Sequence, residues 1–113
     1  MRFQANYIST SVCGDYYQAM FAASDSDDSD SPYLLIQRQF EIPDGGECYI
    51  ETHDEKYVGH FLLRRVEFTS KTLSIEFDRP TDNLISVTFD MAVSEFRKAS
   101  RVVKIIIQIK GGR

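Results

Sequence analysis

Two histidines, two cysteines and several closely spaced carboxylates are the side chains of this chain that could bind a metal, attack an electrophile or move a proton. Zinc needs three or four converging ligands, yet His53 and His60 lack H-x-x-x-H spacing and neither Cys13 nor Cys48 belongs to a C-x-x-C pair. Asp25 and Asp27 would fill the first and third positions of a calcium loop. Asp30 then stands where the turn glycine is needed, and Ile36 where the bidentate Glu is needed. The carboxylate pairs Glu47 with Glu51 and Glu67 with Glu76 could face each other across strands. General acid and base work also requires surroundings that push the two pKa values apart, so they are read as solvated groups. Gly45-Gly46 and Gly111-Gly112 open no helix and so form no phosphate cradle, and no serine or cysteine nucleophile motif is present. These residue types predict no catalytic site, no metal and no cofactor. The two cysteines are read as reduced thiols, small buried hydrophobes in a cytoplasmic protein.

The elements around these side chains are mostly strands. Between residues 57 and 89, Val66 and Phe68, then Leu73, Ile75 and Phe77, then Ile85, Val87 and Phe89 alternate with Glu67, Thr72, Ser74, Glu76, Ser86 and Thr88. Successive side chains on a strand point to opposite faces, so the pattern predicts an antiparallel meander with one dry and one wet face. Upstream, Phe3, Ala5 and Tyr7 predict a first strand that ends in the polar run 9–15, where Gly14 supplies a turn. Residues 16–23 are expected to pair with it as a hairpin. Residues 24–32 are acidic, with nothing to bury, and are expected to form a flexible exposed loop.

Residues 33–40 carry Tyr33, Leu35 and Gln37 on one face and Leu34, Ile36 and Arg38 on the other, which predicts a central strand with a helix packed over it. Pro43-Asp44-Gly45-Gly46 predicts a turn before a strand at 48–51, and a further strand is expected to start at Tyr57, with Gly59 marking a bulge or close approach. After Phe89 the period changes. Val93, Phe96, Ser100, Val103 and Ile107 predict one face of an amphipathic helix capped by Asp90, with Arg97, Arg101, Lys104 and Gln108 on another side. The β-branched run 102–109 is read as helix through its middle, with a final strand as the alternative. The expected class is α+β: a mostly antiparallel sheet of about six or seven strands, with one C-terminal amphipathic helix packed on it.

The 113 residues fit one domain with one core, and no apolar run approaches the ~20 residues of a membrane span. The opening residues lack a signal-peptide core, so export is not expected. The net charge of −4 conceals a division: residues 91–113 hold six Lys or Arg and one Glu, a net +5, leaving −9 for the first ninety. An acidic body suits a basic partner and not a nucleic-acid backbone.

Tyr33-Leu34-Leu35-Ile36-Gln37-Arg38, then Tyr49-Ile50-Glu51, Tyr57-Val58-Gly59, Val66-Glu67-Phe68, Leu73-Ser74-Ile75 and Phe89-Asp90 follow one another in an order that resembles the immunity protein 10 family of bacterial polymorphic toxin systems. The opening Phe3-Gln4-Ala5-Asn6-Tyr7 belongs to the same pattern. Two departures are a longer acidic run at 24–31 and an extended tail at 105–113. The resemblance implies a small cytoplasmic protein that binds a cognate protein toxin and blocks it, without catalysis. If the toxin is a basic nuclease, acidic residues would mimic its nucleic acid.

Candidate charged contacts are Asp25, Asp27, Asp28, Asp30, Asp54 and Glu55, with Tyr33 and Tyr57 as aromatic anchors. The alternatives are a small enzyme or ligand-binding domain with a cleft between sheet and helix, and a subunit of a homodimer or larger homo-oligomer.

Overall fold

The structure, a computed structural model, describes residues 1–14, 16–24, 31–39 and 47–107. The described chain is α+β, with two sheets and a C-terminal helix. The smaller sheet holds β1 (Arg2–Gln4), β7 (Leu63–Phe68), β8 (Thr72–Phe77) and β9 (Leu84–Thr88), in the order β1-β9-β8-β7. The larger sheet has sequential order: β2 (Tyr7–Cys13), β3 (Tyr16–Ala22), β4 (Tyr33–Gln39), β5 (Cys48–Thr52) and β6 (Gly59–Phe61). Helix α1 (Val93–Ile106) follows β9.

The meander expected from residues 57–89 is β7-β8-β9, paired antiparallel with Val66 opposite Ile75 and Ile75 opposite Ile85. Its alternation holds: Leu73, Ile75, Phe77, Ile85 and Val87 are fully buried. They meet Ala19, Phe21, Leu34, Ile36 and Ile50 from the larger sheet in one core. Helix α1 lies on that same inner side, bringing Ala99, Val102, Val103 and Ile106 into the core and placing Phe96 5.0 Å from Phe68. One layer is therefore the five-stranded sheet, and the other is the four-stranded sheet with the helix.

The chain changes sheet at two corners that local pattern does not mark. The amide of Ala5 donates to the Thr88 carbonyl, while the amide of Asn6 donates to the Ala22 carbonyl. The expected first strand therefore splits, β1 joins β9 in parallel, and the polar run through Cys13 is not a loop but β2. A buried Ala5 leaves room for that crossing. The hairpin with residues 16–22 is present, with Tyr7 opposite Ala22 and Cys13 opposite Tyr16. The second corner is at Leu62, between β6 and β7.

Four local expectations are corrected. Tyr57 does not begin a strand but closes a 3-10 helix, Glu55–Tyr57, in which the Lys56 amide donates to the Asp54 carboxylate and the Tyr57 amide to the Asp54 carbonyl. Gly59 has φ +144°, which L side chains rarely adopt, while an added Cβ would meet the Phe61 ring at an ordinary 3.7 Å; backbone conformation, not crowding, calls for glycine. Asp90 pairs with Lys71, so the helix starts from Ala92, whose amide is accepted by Glu95 Oε1 at 3.2 Å. The helix runs to Ile106, resolving 102–106 as helix, but its buried stripe is Ala99, Ser100, Val102, Val103 and Ile106, and Val93 is 67% exposed. The acidic run 25–30, the turn 43–46 and the end 108–113 lie outside the described residues.

Candidate partner-binding face

Because side chains alternate, the register of the larger sheet sorts its residues into a core face and an outer face. Ser11, Gln18, Gln37, Tyr49 and His60 stand side by side across β2 to β6. The next row is Ser9, Met20, Leu35 and Glu51, and the next Tyr7, Ala22 and Tyr33. All share the side opposite Phe21, Ile36 and Ile50.

Leu35 is 8% exposed yet stands apart from the core cluster. Both faces of β4 are thus apolar, as its sequence indicates, but the helix covers only the inner one. Among the described residues no element packs over the outer face. In the sheet Leu35 stands between Met20 on one side and Glu51 on the other.

Hydrogen bonds hold the polar side chains of this face in place. Tyr33 donates its hydroxyl to Glu51 Oε2 at 2.7 Å and Tyr49 donates to Glu51 Oε1 at 3.0 Å, so one carboxylate clamps two phenols. Tyr16 donates to Gln18 Oε1 at 2.9 Å, and the Gln37 amide donates to both Tyr16 Oη and Gln18 Oε1. His60 lies against Tyr49 with ring centroids 5.3 Å apart. Burial, reinforced by the hydrogen bond to Glu51 and its charge, pushes the Tyr33 hydroxyl up to about 12. The Tyr49 hydroxyl is raised as well, first by its bond to Glu51. Both phenols are therefore neutral donors at physiological pH, and the carboxylate is their acceptor.

Of the residues singled out from sequence, Tyr33 belongs to this face. Asp54 caps the 3-10 helix through its bond from the Lys56 amide at 3.1 Å, and Glu55 is exposed beside it. Tyr57 is 6% exposed and belongs to the core, not to this face. Its ring packs 5.9 Å from Phe77, and the Arg79 guanidinium lies over the Tyr57, Phe61 and Phe77 rings at 5.0–5.4 Å. Asp25, Asp27, Asp28 and Asp30 are among the residues not described. The sequence reading missed Tyr16, Gln18, Gln37 and Glu51 as a set. The period-2 pattern of β3 and β4 carries that signal, but pairing them needs the register.

Two surface grooves are small beside the roughly 300–1,000 Å³ of ligand pockets. One, of about 220 Å³, lies on the wet face of the smaller sheet and is lined by Arg65, Glu67, Ser74, Glu76 and Leu84. Its carboxylates are matched by arginines, Glu76 to Arg64 at 3.3 Å and Glu67 to Arg65 at 3.8 Å. The other, of about 210 Å³, lies where β1, β2 and the helix start meet, with Asp90 and Glu95 in its lining. Among the described residues no three His, Cys, Asp or Glu side chains gather as metal ligands, and no helix is long and apolar enough to cross a membrane.

The chain matches no family model, no curated protein and no solved structure. The outer face thus presents phenols, two amides and one shared carboxylate around Leu35 and Met20.

Proposed function

We propose that this chain is a non-catalytic binding protein that acts in the cytoplasm by seating the outer face of its five-stranded sheet on a protein toxin and blocking it. The observation that carries the reading is the tyrosine-rich face around Leu35, where Tyr16, Gln18, Tyr33, Gln37, Tyr49 and Glu51 are already paired before any partner arrives. Tyrosine supplies large contact area with few rotatable bonds, and the Glu51 and Gln18 bonds have already fixed those rotors, so docking loses little side-chain entropy. The ordered resemblance to the immunity protein 10 family supplies the class of partner, and its strand residues Tyr33, Leu35, Gln37, Tyr49 and Glu51 fall on this face. The acidic bias of the first ninety residues would speed approach to a basic toxin.

Co-expression with any toxin-like protein encoded beside this chain tests the proposal. The unaltered chain is expected to restore growth, and the Tyr33→Ala, Tyr49→Ala double variant to lose protection while keeping its circular dichroism. Losing one anchoring tyrosine costs about 2 kcal/mol, roughly 30-fold in affinity. Continued killing in the presence of abundant folded protein would reject the inhibitor reading. Full protection by the double variant would move the contact to another surface.

A further inference from the structure

Each sheet has two edges, and three of the four are blunted. β1 and β6 are three residues long, and β7 carries Arg64, Arg65 and Glu67 with a register shift between Leu63 and Arg65. β2 has none of these defences. It runs seven residues, Tyr-Ile-Ser-Thr-Ser-Val-Cys, with no charge, no proline and an unbroken register to β3. Such an edge is a template for another strand.

The direction of its free backbone groups follows from its neighbours. The amide of Ala23 donates to Pro32 across β4, and the carbonyl of Ala22 accepts from Asn6 on the β2 side. Ala22 and, by alternation, Met20, Gln18 and Tyr16 therefore address β2, meeting Tyr7, Ser9, Ser11 and Cys13. The amides and carbonyls of Ile8, Thr10 and Val12 point outward, and no hydrogen bond to them is formed across that edge among the described residues.

We propose that the occupant of this edge is β2 of a second copy, paired antiparallel about a two-fold axis through Thr10. The segment Ile8-Ser9-Thr10-Ser11-Val12 reads nearly the same in both directions. In that register Ile8 faces Val12 of the second copy, Thr10 faces Thr10, and Ser9 faces Ser11. The three outward-pointing residues then pair with one another and with nothing else, giving about six backbone hydrogen bonds. Val12, 51% exposed in the single chain, gains a β-branched neighbour, and Thr opposite Thr is a favourable cross-strand pair. No like charges meet. The two five-stranded sheets become one continuous sheet, and the tyrosine faces lie on the same side of it. This assembly does not depend on the toxin reading and is tested without a toxin.

Light scattering across a concentration series on the whole chain is the first measurement, with a concentration-dependent dimer expected. Ser9 and Ser11 are exposed, so Ser9→Glu with Ser11→Glu should leave the fold and melting temperature intact while shifting the protein to monomer. Ser9→Glu with Ser11→Lys places opposite charges across the axis and should recover the dimer. In a Cys13→Ser background, mixing Ser9→Cys protein with Ser11→Cys protein should yield a disulfide-linked pair on mild oxidation, while neither protein alone does. A monomer at every concentration, a dimer that survives the two-carboxylate variant, or cross-linking of Ser9→Cys protein with itself would overturn the proposal. Serine to cysteine is nearly isosteric, so the mixing experiment decides the register even where a charged variant fails to fold.

Discussion

At the scale of single residues, Glu51 has the most consequences. A carboxylate that accepts from two phenols stabilises their neutral forms and sets the geometry of the outer face. Because the Tyr33 hydroxyl titrates at about 12 in the fold and near 10 when free, the folded state holds its proton more tightly. The associated stability is complete below pH 10 and declines as pH rises from about 10 to about 12. Tyrosinate absorbance followed through a pH titration is expected to show this late transition, and Tyr33→Phe to remove it. In Glu51→Gln the transition should move back toward 10 without reaching it, because burial is the larger cause. A transition that Glu51→Gln leaves unmoved would show that burial alone sets it. Arg79 is the other informative residue: its guanidinium covers three rings while donating to the Lys56 and Asp82 carbonyls. That explains why a charged side chain sits half-buried at the end of the core.

At the scale of elements, the helix start stands out. Ala92 occupies the N-cap with extended φ −65° and ψ 155°, and its methyl group offers no acceptor to the first-turn amides. Glu95 already sits three residues on and bonds back to the Ala92 amide. Ala92→Ser supplies the missing half of a capping box and is expected to raise stability by about 1 kcal/mol, measured as a higher urea midpoint at unchanged slope. Opposite the buried stripe, Arg97, Lys98, Arg101 and Lys104 are exposed and form no ion pair among the described residues, so the helix presents a basic outer face. The acidic sign of the first ninety residues is therefore not shared by the whole surface.

At the scale of the molecule, one core joins both sheets and the helix. Phe21 lies at their meeting point, stacked on Phe89 at 5.6 Å and edge-on to Phe68 at 6.3 Å. Fully buried and in contact with both layers, it is expected to cost about 3–5 kcal/mol when changed to alanine. The loss should appear as a single shifted transition in denaturant, since no layer keeps a core of its own. Separate transitions for sheet and helix signals would contradict that picture.

The sequence alone determined what depends on neighbours along the chain. Alternation set the dry face of β7, β8 and β9, the two apolar faces of β4 and the α+β class, because period-2 and period-3.6 patterns are local properties of the backbone. Tertiary structure decided what depends on residues far apart. Ala5 and Leu62 became corners between sheets, Tyr57 went into the core while Tyr33 stayed on the outer face, and the helix chose the inner side of β4. Glu51 became the link between Tyr33 and Tyr49 only once β4 and β5 were in register. Which of two apolar faces is covered is set by the area available for burial across the whole chain, a quantity that no stretch of residues carries by itself.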